Sequence, residues 1–353
     1  MNDLKSFAIL AAGPACRWPA EWEPHERTLI SWPVAEALVF PDNLDEVCAG
    51  YAAVVRAVSA FEPVTLLVNE EDLSRAAALC GGDAEYLVTP HDDAWLRDNG
   101  PTFVRGSDGA LRGVAWRFNA WGGKYPHGRD ERVAATVLEH LGVPCDAAAI
   151  VLEGGSIHSD GQGTILTTEQ CLLHPSRNPG LVRADIEGAL RGHLGAKAFV
   201  WMPEGLDGDH TDGHVDNVAC FAAPGVVLLQ VCDDVTDPNH IVSMRNREAL
   251  AAARDAAGRP LKVIEIAQPP MRHYDGMRLT LSYLNFYLVN GGVIAPVFGG
   301  DARRTDEAAL NTLAEAFPGR RVVPVDGMAL VKEGGNVHCI TQQMPVRAQA
   351  SAE

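Results

Sequence analysis

The sequence predicts a mixed α/β fold made of roughly five similar units set about an axis. Three observations carry this. Strand-like apolar runs alternate with helical stretches, short polar motifs recur, and those motifs fall at a near-even pace along the 353 residues.

The strand-like runs include Thr28-Leu29-Ile30-Ser31-Trp32, Pro63 to Val68 and Gly225 to Leu229. Helical stretches are expected at 44–60, 71–80, 130–141, 181–194, 245–257 and 304–316. Glu153-Gly154-Gly155-Ser156-Ile157-His158 returns as Glu333-Gly334-Gly335-Asn336-Val337-His338. Asp98-Asn99 with Phe103 returns as Asp216-Asn217 with Phe221. The successive intervals Asp98 to Glu153, Glu153 to His214, His214 to Tyr283 and Tyr283 to Cys339 are 55, 61, 69 and 56 positions. If each interval is one ββαβ-type unit, equivalent strand ends converge on a central cavity, with Asp98 and Asp216 on opposite sides of it. Residues 1–17 are expected to form a flexible N-terminal extension, 18–345 a single domain and 346–353 a C-terminal tail.

Composition narrows the function classes. Hydrophobic residues make up 47% of the chain, enough for a large core, and disorder is not a serious reading. A net charge of −17 without a Lys/Arg-rich run removes the electrostatic footprint of a nucleic-acid binder and suits a small cationic partner. The apolar run Phe7 to Ala12 is too short to cross a membrane, and Leu279 to Phe298 is interrupted by polar residues, Gly and Pro, so no membrane span is expected. The eight cysteines include no Cys-x-x-Cys pair, so reduced thiols in a cytoplasmic protein are expected rather than a disulfide framework or a zinc site. No Gly-x-Gly-x-x-Gly or Walker-type loop offers a phosphate cradle.

The polar motifs fit the demands of one chemical group. A guanidinium is planar, permanently charged, rich in N–H donors and resistant to nucleophiles. Carboxylates must hold it while a strong nucleophile attacks its carbon, and Asp98, Asp216 and Glu153 are the candidates to hold it. Cys339, at the end of the glycine-rich second motif, is the candidate nucleophile. His214 is the candidate acid/base, and on a strand the i, i+2 spacing would put it on one face with Asp216. On the same assumption His338, adjacent to Cys339, would point to the opposite face and be structural. Bland readings stand beside these: Asp98 could pair with Arg97 or cap the loop before Pro101, and Glu153 could be solvated before its Gly-Gly turn. The Asp/His-rich stretch from Asp207 to Asp216 also admits a zinc or manganese site, although its spacing does not match a calcium loop.

At these residues the sequence resembles the agmatine deiminase family, within the guanidino-group-modifying enzymes that include peptidylarginine and arginine deiminases. The resemblance runs through Pro19 to Glu26, Asp92 to Pro101, Phe118 to Gly123, Leu152 to His158, Gly213 to Asn217, Ser282 to Tyr287 and Gly334 to Gln343. It implies a five-bladed α/β propeller of the pentein type. It further implies attack by Cys339 on the guanidinium carbon, Asp98 and Asp216 on the nitrogens, and Glu153 with His214 in proton transfer and orientation. An amidino-cysteine intermediate, release of N-carbamoylputrescine and ammonia, no cofactor and no metal would follow. Trp95 resembles a position near the substrate, with a plain core aromatic as the alternative. A homodimer is expected from the resemblance alone. One departure stands out: His210 occupies a position that is usually acidic in the family and meets the substrate's distal amine, leaving Asp209 or Asp212 to take over that task. The alternatives are therefore a deiminase of another guanidine, such as peptidyl-arginine or a guanidino acid, or a polyamine-binding module without catalysis.

Overall fold

The computed structural model describes residues 16–347. Helices and strands alternate in a mixed α/β fold whose five main sheets share one plan. An antiparallel hairpin is followed by a helix, which returns the chain to a third strand parallel to the second.

In the second unit, Thr102–Gly106 pairs antiparallel with Leu111–Arg117, the helix Val133–His140 crosses over, and Cys145–Val151 runs parallel to Leu111–Arg117. The third unit repeats this with Ile157–Ser159, Thr164–Thr168, the helix Arg183–Leu194 and Ala198–Met202. In the fourth the elements are Ala219–Ala223, Val226–Val231, the helix Asn239–Ala252 and Lys262–Ala267. The fifth consists of Tyr287–Val289, Gly292–Val297, the helix Arg303–Ala316 and Arg321–Asp326. The first unit draws on both ends of the chain: Thr341–Pro345 pairs antiparallel with His25–Ser31, and the helix Leu44–Ser59 leads to the parallel strand Val64–Val68. The chain's last described strand thus completes its first sheet. Cys16 and Arg17, placed by the sequence in the N-terminal extension, pair with Gly106 and Arg105, while residues 1–15 and 348–353 lie outside the described residues.

Local sequence explains these elements. Every residue of Val64–Val68 and of Thr164–Thr168 is buried, as expected for a strand covered on both faces. Helix Leu44–Ser59 places Val47, Tyr51, Val54, Val55 and Val58 on its buried side, at helical spacing. The helix expected at 245–257 instead runs from Asn239 to Ala252. Its start is set by Asp237, whose carboxylate accepts from the Asn239 backbone N–H at 2.9 Å, and by Pro238, which fits a helix entry. Beyond its end, Asp255 caps a turn by accepting from the backbone N–H groups of Ala257 and Arg259. No helix among the described residues is long and apolar enough to cross a membrane.

The turn that enters the first strand of each unit matters most for function. Asp98 lies in the turn Leu96–Asn99, Gly155 in Gly154–Ser156, Asp216 in Val215–Asn217, and Cys339 in Val337–Ile340. Asn285 precedes Tyr287–Val289 in the same way. Equivalent positions of the five ββαβ units therefore supply Asp98, Asp216, Asn285 and Cys339, with Gly155 at the fifth.

Candidate active site

These turns meet at Gly155. A Cβ placed there would lie 2.6 Å from His214 Nδ1, 2.9 Å from Asp98 Oδ1 and 2.9 Å from Asp216 Oδ2. Only glycine lets the three side chains close on one point. Asp98 is fixed by two donors, the Gly155 backbone N–H at 2.9 Å and the Trp121 indole N–H at 2.9 Å. Trp121 reaches it from a left-handed backbone conformation (φ 55°), unusual for a bulky residue and typical of backbone held under strain at a functional position. Arg97 is not the partner of Asp98: its guanidinium donates to Glu21 and to Gln343.

Cys339 is buried, and its Sγ sits 3.6 Å from Asp216 Oδ2 while accepting from Asn285 Nδ2 at 3.1 Å. Burial, reinforced by the charges of Asp216 and Asp98, pushes the thiol well above its ordinary range. Gly335 lets Trp95 pack close by, since a Cβ there would come within 2.4 Å of the Trp95 ring and 3.0 Å of Cys339 Cβ.

His214 is fully buried, with Nδ1 3.7 Å from Asp98 and Nε2 3.9 Å from Glu153. Neither ring nitrogen has a hydrogen-bond partner among the described residues. Burial disfavours its charged form, yet Asp98, Cys171 and Glu153 outweigh burial and hold the imidazole well above the usual histidine range. Asp98 moves the other way: burial, with Asp216 and Glu153 adding to it and His214 opposing, raises its carboxyl to about 6. For Glu153, burial is outweighed by His214 and Arg177, and the carboxyl is held low. Arg177 Nε donates to Glu153 at 2.8 Å, and its terminal nitrogens reach Asp212 and the Thr211 carbonyl. Burial of Asp216 is likewise outweighed, chiefly by His338, whose Nδ1 lies 2.9 Å from its Oδ2.

Two expectations need correction. His214 and Asp216 converge, but from a helical turn rather than from one face of a strand. His338 does not point away, because Val337–Ile340 is also helical and brings the imidazole between Asp216 and Glu21, at 2.9 and 3.3 Å. Nor are the acids of the 207–216 stretch free for a metal: Asp207 pairs with Arg278, Asp209 accepts from Thr211 and the His214 backbone, and Asp212 pairs with Lys124 and Arg177. The one three-residue group able to offer metal ligands among the described residues is Glu153, Cys171 and His214, and Arg177 already occupies Glu153.

Trp95, Asp98, Trp121 and Cys339 line one cleft, with Tyr51, Asp93, His210 and Glu333 on its other walls. The arrangement can grip a planar cation, present a sulfur to it and deliver a proton beside it.

The sequence matches the Porphyromonas-type peptidyl-arginine deiminase family over residues 17–345. The chain belongs to that family. It is 45% identical to an agmatine deiminase of Stutzerimonas stutzeri over 93% of this chain and 95% of the relative. Among solved structures of similar proteins, the agmatine deiminase of Enterococcus faecalis superposes with a TM-score of 0.88 at 35% identity, covering 95% of this chain and 97% of that one. A C. jejuni agmatine deiminase variant with substrate bound gives 0.87 at 26% identity, over 96% and 98%. The family's guanidinium chemistry matches a site that brings Cys339 together with the buried carboxylates of Asp98 and Asp216.

Sequence reasoning passed over Asn285, Arg177 and Trp121. Asn285 holds the same place in its unit as Asp98 and Asp216, a signal available from the repeat. Arg177 sits in a loop with no motif, and only its burial against Glu153 reveals it.

Proposed function

We propose that the chain is an agmatine deiminase, hydrolysing agmatine to N-carbamoylputrescine and ammonia with Cys339 as nucleophile. The observation that carries this reading is the approach of Cys339 Sγ to within 3.6 Å of Asp216, in a cleft also lined by Asp98. The near-full-length identity to named agmatine deiminases supports the choice of substrate.

Asp98 and Asp216 accept from the guanidinium nitrogens and orient its carbon toward the sulfur. A cation in this acidic cleft offsets the carboxylates that hold the Cys339 thiol up, so the thiol gives its proton to solvent when substrate enters and a thiolate is left. Sulfur adds to the carbon, and His214, protonated between Asp98 and Glu153, gives its proton to the departing ammonia. An amidino-cysteine remains. A water that loses its proton to the now neutral His214 attacks the same carbon, the C–S bond breaks as the remaining hydroxyl proton passes to the sulfur, and the ureido product leaves the restored thiol. Glu153, held by Arg177, keeps the imidazole oriented through both proton transfers.

The same reading makes the five units blades of a closed propeller. Support comes from the shared strand plan, the first sheet completed by the last described strand, and five equivalent turns contributing to one site.

Release of ammonia and N-carbamoylputrescine is the assay, and Cys339→Ala abolishes it; turnover by that variant would remove the nucleophile assignment. His210 on the cleft wall favours a second reading, action on another guanidine. Comparison of kcat/KM for agmatine, arginine and a peptide with C-terminal arginine decides between them.

A further inference from the structure

Agmatine carries two cations, a guanidinium and, four carbons away, a primary ammonium, and the cleft must receive both. The residues before His214 do not supply an acid for the second. Asp212 is taken by Lys124 and Arg177, and Asp209 by Thr211 and the His214 backbone. The His210 carbonyl accepts from Lys124 Nζ at 2.6 Å, which adds a positive charge on that wall.

The remaining acids of the cleft are Asp93 and Glu333. Glu333 is 7% exposed and accepts only long bonds from neutral donors, the Phe40 N–H at 3.2 Å and Asn43 Nδ2 at 3.3 Å. Asp93 accepts from the adjacent Ala94 N–H at 2.7 Å. Neither carboxylate makes an ion pair among the described residues, in contrast to Glu153, Asp212 and Glu21, which all do. Tyr51 lines the same cleft, is only 2% exposed, and its hydroxyl has no hydrogen-bond partner among the described residues. Burial raises that phenol well above its ordinary range, and the charges of Asp93, Cys339 and Glu333, which line the same cleft, add to the effect. Two acids without a cation among the described residues, lining one cleft with a hydroxyl that has no partner there, are suited to an alkylammonium.

We propose that Asp93 and Glu333, with the Tyr51 hydroxyl, form the subsite for the substrate's primary ammonium. This rests on the agmatine reading above. Burial, with Asp130 and Glu333 adding to it, raises the Asp93 carboxyl to about 8, as expected of an acid waiting for a cation.

Pentylguanidine, in which a methyl group replaces the ammonium, provides the test. The quantity read is the ratio of kcat/KM for agmatine to that for pentylguanidine, in the full-length wild type and in two separate variants. Glu333→Gln keeps the size of the side chain and an acceptor for one of the two neutral donors, which reach different oxygens of Glu333, and Asp93→Asn gives an independent reading if one variant folds poorly. Each substitution lowers the ratio about tenfold or more, because only agmatine loses a charged partner. A ratio within about twofold of wild type in both variants, or a wild type that does not prefer agmatine, overturns the subsite. Absence of agmatine turnover in the wild type would instead overturn the parent reading, and it shows before any variant is made.

Discussion

Replacing Asp216 with asparagine moves two measurements in opposite directions. The carboxylate lies 3.6 Å from Cys339 Sγ. At an effective dielectric constant of about 20, a full charge at that distance opposes the thiolate by about 4 to 5 kcal/mol. Residual amide dipole and local relaxation leave roughly a third to a half of this, lowering the Cys339 pKa by about 1 to 2 units. The thiolate fraction near neutral pH rises accordingly, while the intrinsic nucleophilicity of the sulfur falls with its basicity. Alkylation by iodoacetamide at about pH 7.5 is therefore faster by about 4- to 10-fold. Over the same change agmatine loses a charge-assisted partner, so kcat/KM falls by about 10- to 150-fold. Alkylation is followed by mass spectrometry of the Cys339 peptide, because seven other free cysteines are present. Unchanged or slower alkylation in Asp216→Asn would refute the electrostatic account of the thiol, and unchanged kcat/KM would refute the grip on the guanidinium.

Asp98 makes a separate case for stability. Its folded carboxyl stands at about 6, above the ordinary value in an unfolded chain, so the folded state binds an extra proton. The contribution is favourable below about pH 4 and is lost as pH rises through 6, by about 3 kcal/mol in all. Urea unfolding of Asp98→Asn against wild type should shift in the variant's favour by that amount between about pH 4 and pH 8, and a pH-independent difference would contradict the raised carboxyl. Gly155→Ala forces a methyl group among His214, Asp98 and Asp216, and kcat/KM for agmatine falls by about 100-fold or more with the circular dichroism spectrum retained. Near-normal turnover by that variant would show that the three side chains need not meet.

The sequence was most legible where a signal is local or repeated. Short buried strands such as Val64–Val68 announce themselves by composition, and five of the six helical stretches lie within a few residues of their predicted positions. The helix at Asn239 was misplaced because its start depends on the Asp237 cap rather than on periodicity. In the site, Cys339, Glu153, Asp98 and Asp216 stood out because their motifs recur, and His214 because of its spacing to Asp216. The orientation of His338 was misjudged because a single helical turn, not a strand, carries it.

By itself, then, the chain determined its α/β character, the repeat of its units and the residue types that guanidinium chemistry needs, since these follow from spacing along the backbone. Tertiary structure alone decided which acids carry partners and which are vacant. Arg177 against Glu153, Lys124 against Asp212, and Asp93 and Glu333 without a cation among the described residues are separated by tens to hundreds of positions. Electrostatic compensation acts through space, so no local pattern can encode whether a buried charge is already matched.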